Sequence, residues 1–248
     1  MSTSRLALVT GGTGGIGTEI CLQLASAGHW VVTTFLPQEA ELARAWQGSR
    51  CAEGFDIGLV ECDVASFESC ADMARQLREK FGTVEILVNC AGITRDKTLS
   101  KMEPTQWNAV IDTNLNSAFN VTRNLIEGMV ERRFGRIVSI SSVNGERGQF
   151  GQTNYSAAKA GLFGFTRALA QEVAGKGITV NTVSPGYVDT SMVEGMKAEV
   201  REAIVGQIPV GRLAHPREIA WAVGFLVAEE SGYITGANLP VNGGLYMS

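Results

Sequence analysis

The chain has 248 residues, 45% of them hydrophobic, and its 21 Lys and Arg against 25 Asp and Glu give a formal charge of −4. Such a length and apolar content support one α/β domain with a large core, and without a long basic run a nucleic-acid or membrane-surface role has no electrostatic footprint. Five cysteines (Cys21, Cys51, Cys62, Cys70, Cys90) form an odd set with no Cys-x-x-Cys pair, and the two histidines, His29 and His215, stand far apart. The cysteines therefore read as reduced packing residues, and no metal site is expected.

Met1-Ser2-Thr3-Ser4-Arg5 leads straight into an apolar stretch and no uninterrupted apolar run approaches a membrane span, so a cytoplasmic protein is expected. Leu6-Ala7-Leu8-Val9-Thr10 reads as a buried strand, and Gly11-Gly12-Thr13-Gly14-Gly15-Ile16-Gly17 follows it into a helical pattern that closes at Gly28. A strand, a glycine-rich turn and a helix start make a phosphate site, because backbone N–H groups and the helix dipole can meet an anion that side chains would otherwise block. Further strands are predicted at about 30–35, 56–62, 84–89, 135–141, 177–183 and 237–242, with the first at about 5–10. Helices are predicted at roughly 15–28, 38–48, 66–81, 104–132, 153–175 and 216–229. Strands alternating with helices imply right-handed crossovers, so the expected fold class is α/β: a Rossmann-type, doubly wound, seven-stranded parallel sheet with helices on both faces, residues 1–248 forming one domain. Periodicity is weakest over 187–212, where Gly195, Gly206, Pro209 and Gly211 interrupt short helical pieces. This segment is read as a substrate lid with glycine hinges, against the plainer alternative of an irregular surface loop.

Chemistry concentrates in the second half. In Tyr155-Ser156-Ala157-Ala158-Lys159, four residues of helix bring a phenol and an ammonium onto one face. A free phenol titrates near pH ~10, so a neighbouring cation that favours the phenolate would bring it toward neutral pH. Ser142 ends the β-rich run Ile137-Val138-Ser139-Ile140-Ser141-Ser142 and would sit at the carboxyl end of a strand, where ligands bind in open α/β sheets. A Tyr and Lys at this spacing also arise by chance on solvated helices; the strand, turn and helix near the N-terminus favour the chemical reading.

Taken together, Thr10-Gly11-x-x-x-Gly15-x-Gly17, Asn89-Cys90-Ala91-Gly92, Asn114, Ser142, Tyr155-x-x-x-Lys159 and Pro185-Gly186 resemble the short-chain dehydrogenase/reductase family in order and spacing, over essentially the whole chain. Within it, Gly92-Ile93-Thr94-Arg95-Asp96, Asp112-Thr113-Asn114, the run from Ser141 to Tyr155 and the ending Asn242-Gly243-Gly244-Leu245 look most like the acetoacetyl-CoA reductases of polyhydroxybutyrate synthesis. The resemblance implies a catalytic set of Asn114, Ser142, Tyr155 and Lys159. Tyr155 would protonate the carbonyl oxygen as hydride arrives, Ser142 would hydrogen-bond the same oxygen, and Lys159 would support the tyrosinate and hold the nicotinamide ribose. Asn114 would bind a water in a proton relay. For the dinucleotide it implies the turn Gly11, Gly12, Thr13, Gly14, Gly15, Ile16, Gly17; Asp63 and Val64 at the adenine; Asn89, Ala91 and Gly92 against the cofactor; and Pro185, Gly186, Val188 and Thr190 near the carboxamide. Asp63 can equally be a turn or cap residue.

For the substrate, the resemblance implies an acyl pocket of Asp96, Gln149, Phe150, Gln152 and Tyr187, with Lys197 meeting a CoA phosphate as a point charge. The expected reaction is reduction of a 3-oxoacyl-CoA, acetoacetyl-CoA to (R)-3-hydroxybutyryl-CoA. Two alternatives stand beside it: a 3-oxoacyl-[acyl-carrier-protein] reductase, whose acidic partner would need the basic surface of Arg132, Arg133 and Lys176, and a non-catalytic dinucleotide sensor or scaffold. Either NADH or NADPH is expected as cofactor. After the second strand, Thr34-Phe35-Leu36-Pro37-Gln38-Glu39 offers no Arg or Lys before Arg44, which leans toward NADH because a desolvated 2′-phosphate is costly without a cation. The resemblance also implies a homotetramer built on the helices at about 104–132 and 153–175; the second carries Ala157, Ala158, Ala160, Gly161 and Gly164, small residues that permit close helix approach between chains and equally suit packing within one.

Overall fold

Seven parallel strands run in the order β3-β2-β1-β4-β5-β6-β7 in a computed structural model that describes residues 4–190 and 198–247. They are β1 (Leu6–Thr10), β2 (Trp30–Phe35), β3 (Ile57–Glu61), β4 (Ile86–Asn89), β5 (Gly135–Ile140), β6 (Ile178–Pro185) and β7 (Asn238–Val241). The order turns back at β1, whose neighbours are β2 and β4 in register Leu8↔Val32 and Leu8↔Leu87. That reversal opens a crevice beyond the carboxyl ends of β1 and β4. The alternation of side chains along β1 divides the core: Leu6 and Leu8 face one layer, Ala7 and Val9 the other.

The first layer holds α3 (Phe67–Lys80), α5 (Ser117–Arg132) and α7 (Thr153–Val173), which bring Met73, Leu77, Val121, Met129 and Val173 onto the sheet. The second holds α1 (Gly15–Ser26), α2 (Ala40–Ala52) and the late helix α9 (Pro216–Val227), with Ile20, Leu24, Trp46, Val223 and Leu226 packed inward. Helix starts follow local chemistry. Ser66 caps α3 by accepting the Ser69 N–H at 3.2 Å, and Pro216 opens α9 where its missing N–H costs nothing. At the amino-terminal rim of the sheet, the guanidinium groups of Arg5 and Arg136 lie 3.4 Å and 4.3 Å from the Phe134 ring centroid, and Arg5 pairs with Glu85 and Glu229.

Strand positions match the sequence reading to within about two residues, and two helical expectations are corrected. The single helix at 104–132 is α4 (Pro104–Ile111), a π turn (Asp112–Asn116) and α5. Residues 143–147, where no helix is predicted, form the short helix α6 (Val143–Arg147). Within 187–212, residues 191–197 lie outside the described part; the remainder carries α8 (Ala198–Val205) and a small cluster in which Ile208 and Leu213 pack against Tyr187, Ile204 and Leu245. Arg201 pairs with Asp189 at 2.9 Å, and Val188 bridges to Ala214. The segment is thus partly ordered by its own apolar contacts.

Candidate active site

The glycine turn is held from below by β2. Thr33 Oγ1 accepts the Gly12 N–H at 2.8 Å and donates to the Val9 carbonyl at 2.8 Å, while Thr34 Oγ1 accepts the Gly11 N–H at 3.1 Å. A Cβ at Gly17 would stand 2.3 Å from the Gly11 carbonyl oxygen, so only glycine lets α1 begin this close to the turn. No acidic residue occupies the first turn of α1, which leaves its N-terminus suited to an anion. Thr10 Oγ1 ties β1 to the segment after β4 by accepting the N–H groups of Cys90 and Ala91 at 3.0 and 3.1 Å.

From that turn a cleft runs along the strand ends to the expected catalytic residues. Its walls include Gly11, Thr13, Gly14, Gly15, Ile16 and Gly17 at one end, and Ser142, Tyr155 and Lys159 at the other. Asp63, Val64, Ala91 and Gly92 lie along it, as do Asp96, Gln152, Pro185, Gly186, Tyr187, Val188 and Thr190. Of the expected cofactor residues, Gly12 is packed beneath, where a Cβ would meet Thr33 and Cys21. Asn89 is buried and donates to Ser139 Oγ at 3.2 Å. Gln149 and Phe150 lie outside these walls, and Phe150 is 88% exposed. Lys197 lies outside the described residues.

Ser142 leaves β5 as the cap of α6 and accepts the Asn144 N–H at 3.1 Å, so its own hydrogen is free to be donated. Burial raises the Tyr155 phenol above its ordinary pKa, and the nearby Ser142 hydroxyl, which favours the phenolate, only partly offsets this. Lys159 is 4% exposed, its Nζ donates to the Ile140 carbonyl at 2.7 Å and sits 5.6 Å from the Tyr155 ring centroid. Burial also lowers the Lys159 ammonium itself, from 10.5 to about 8, against an opposing effect of Cys90. Desolvation therefore acts on both partners and keeps the proton on Tyr155.

Asn114 sits in the π turn and is 2% exposed. Its amide pairs both ways with one residue: Oδ1 accepts the Ile93 N–H at 2.9 Å and Nδ2 donates to the Ile93 carbonyl at 2.8 Å. A Cβ at Gly92 would stand 2.5 Å from that Oδ1. The side chain thus ties the turn after β4 to the π turn.

Several wall residues lie outside the expected set, Cys90 and Asn144 among them. Cys90, taken as packing, faces the cleft with its thiol pushed up to about 11 by burial. Asn144 starts a side-chain chain in which its Nδ2 donates to Gln152 Oε1 at 3.0 Å and Gln152 Nε2 donates to Asp96 Oδ2 at 2.8 Å. Its position two residues after Ser142, at the end of a strand, was the available signal. At the adenosine end the walls are Thr34, Phe35, Leu36 and Glu39; the basic wall residues among those described, Arg95 and Lys159, lie elsewhere. Among the described residues there is no group of three His, Cys, Asp or Glu suited to a metal ion, and no helix long and apolar enough to cross a membrane.

A family model described as enoyl-(acyl carrier protein) reductase matches residues 11–246. An acetoacetyl-CoA reductase of Allochromatium vinosum is 62% identical over 98% of this chain and 99% of that protein. Another, from Cupriavidus necator, is 54% identical over 99% of both. A 3-oxoacyl-[acyl-carrier-protein] reductase of Pseudomonas aeruginosa is 46% identical over 98% of both.

Proposed function

The chain belongs to the short-chain dehydrogenase/reductase family and is an NAD(P)H-dependent oxidoreductase, and from that premise we propose that it reduces acetoacetyl-CoA to (R)-3-hydroxybutyryl-CoA. The observation that carries this reading is the convergence of Ser142, Tyr155 and Lys159 at one end of a cleft whose other end is the glycine turn. The residues fit a dinucleotide: an uncrowded helix N-terminus for its pyrophosphate and Asp63 and Val64 on the wall beyond it. When bound, the cofactor supplies the hydride. The protein's own part is to place the carbonyl oxygen between the Ser142 hydroxyl and the Tyr155 phenol, so that the developing alkoxide is hydrogen-bonded and then protonated by Tyr155. A phenol held protonated by burial suits this reductive direction. Asp96, Gln152 and Tyr187 form the acyl end. The three groups assembled on the wall speak against a bare sensor or scaffold.

The carrier-protein alternative is weakened by topology. Arg132 and Arg133 directly precede β5, and Lys176 precedes β6, so all three lie at the amino-terminal rim, opposite the cleft mouth. They could guide a carrier protein only to the mouth of a neighbouring chain. An assay with acetoacetyl-CoA and the corresponding carrier-protein thioester, each with NADH and NADPH, tests the proposal: the CoA ester should give the higher kcat/KM, and the reverse order would sink it. In the same assay NADH should serve at least as well as NADPH, because Glu39 and no cation faces the adenosine end. A preference for NADPH above about tenfold, ~1.4 kcal/mol of transition-state binding, would contradict that reading.

The same proposal includes a homotetramer in the cytoplasm. Five free thiols suit a reducing compartment. Assembly with two kinds of two-fold axis needs two separate self-complementary faces. One is the outer side of α5 and α7, with Phe119, Ile126, Val130, Phe165 and Leu169 around a groove. The other is α9 on the opposite layer, where the stacked rings of Trp221 and Phe225 are 66% and 44% exposed. Light scattering at micromolar concentration should give about four times the 26.5 kDa chain mass; a monomer or dimer mass would refute the tetramer.

A further inference from the structure

We propose that Cys62 and Cys70 are a peroxide-oxidisable pair, and that the disulfide they form weakens dinucleotide binding; the second half rests on the reading that Asp63 and Val64 hold the adenine. Cys62 follows β3 and forms part of the cleft wall, Cys70 lies in the first turns of α3, and their sulfurs are 3.8 Å apart. Both are buried in the reduced protein, and between them runs the loop that carries Asp63 and Val64.

That loop leans on the pair. The single S–H of Cys70 has three acceptors within reach, the Cys62 sulfur at 3.8 Å and the Asp63 and Val64 carbonyls at 3.9 and 3.7 Å. The Asp63 N–H donates to Ser69 Oγ at 2.9 Å, and Asn120 Nδ2 donates to the Val64 and Ala65 carbonyls at 3.1 and 3.2 Å. A disulfide requires sulfurs ~2.05 Å apart, so they must close by about 1.8 Å. Closure draws β3 toward α3 and removes the Cys70 S–H that these acceptors share, and the residues displaced are those on the cleft wall.

The roles of the two sulfurs differ. The hydrogen bond from Cys70, against an opposing effect of burial, holds the Cys62 thiol below its ordinary pKa, whereas the same bond pushes Cys70 up. Cys62, facing the cleft, is the thiolate that meets the oxidant. It attacks one oxygen of hydrogen peroxide; the O–O bond breaks, and hydroxide leaves and takes up a proton as water, giving a sulfenic acid. The Cys70 sulfur then displaces the hydroxyl from Cys62, which departs with the Cys70 proton as a second water. Two thiols lose two electrons in total and peroxide gains them. A bound dinucleotide covers Cys62 and slows the reaction, and any preference of the cofactor for the dithiol form is matched by an equal stabilisation of that form by the cofactor.

The test uses the full-length protein with Cys51→Ser, which removes the exposed thiol. Residues 51–75 contain Lys or Arg only at Arg75 and follow Arg50, so one tryptic peptide holds both sulfurs. Treatment with hydrogen peroxide should lower that peptide by 2 Da, block its alkylation and weaken NADH binding, read by tryptophan fluorescence, at least tenfold, with recovery in dithiothreitol. Saturating NADH should slow the 2 Da loss, and Cys70→Ser should prevent it. Oxidation of Cys62 without the 2 Da loss overturns the pairing. A disulfide that leaves NADH affinity unchanged overturns the coupling. Asp63→Ala in the reduced protein separates the two readings: unchanged affinity there faults the adenine assignment and not the disulfide.

Discussion

Tyr155→Phe is expected to lower kcat for acetoacetyl-CoA reduction by 10²–10⁴-fold, about 3–5 kcal/mol of barrier, with cofactor affinity nearly unchanged. Phenylalanine keeps the ring against Lys159 and removes only the hydroxyl that gives up the proton. Ser142 remains to hydrogen-bond the oxygen, so the loss stops short of the whole catalytic effect. A variant that retained more than a tenth of wild-type turnover would remove Tyr155 from the role of acid. A variant that lost cofactor binding in step with turnover would show that the phenol holds the dinucleotide as well.

Lys159→Met should lose at least a hundredfold in activity and also weaken cofactor binding, because the ammonium is assigned to both Tyr155 and the ribose. Its effect on stability runs the other way. In the fold the Lys159 pKa is about 8 against an ordinary 10.5. Between those values the unfolded chain holds a proton that the folded chain has released, so this group makes stability rise with pH across that window. Below pH 8 both states are protonated and the burial cost is present in full, about 3 kcal/mol. Methionine carries no such cost, although it leaves the Ile140 carbonyl without its donor, a pH-independent loss of about 1–3 kcal/mol. Denaturant unfolding at several pH values should therefore show wild type gaining on Lys159→Met between pH 8 and 10. Parallel profiles would mean that the ammonium is solvated or paired in the folded protein.

Much of this was legible in the sequence because the relevant signals are local. Strand periodicity, the glycine turn and the Tyr155/Lys159 spacing each lie within a few residues, and the strand alternation fixes the sheet class. What escaped depends on position in space. The π turn shifts the helical register by one residue, and a hydrophobic period read over 104–132 does not resolve it. Asn114 was implied by the family resemblance, but its commitment to Ile93 appears only when the turn after β4 is laid against the π turn. Gln149 and Phe150 sit within three residues of Gln152, yet Gly148 and Gly151, with φ of 74° and 79°, turn the chain so that the first two face solvent and Gln152 faces Asp96. The depressed Lys159 likewise follows from burial, which a nearby phenol in the sequence does not reveal.

The two rims of the sheet divide the chain along its strands instead of along its length. Arg5, Glu85, Phe134 and Arg136 lock the rim where β1, β4 and β5 begin, and Thr10, Asn89 and Ser142 stand at or just past the ends of those same strands, toward the cleft. Each of these strands thus carries an anchor at one end and a tool at the other. Substitutions that retune the cleft loops leave the opposite rim unchanged, so a new acyl specificity can be sought there without first rebuilding the foundations.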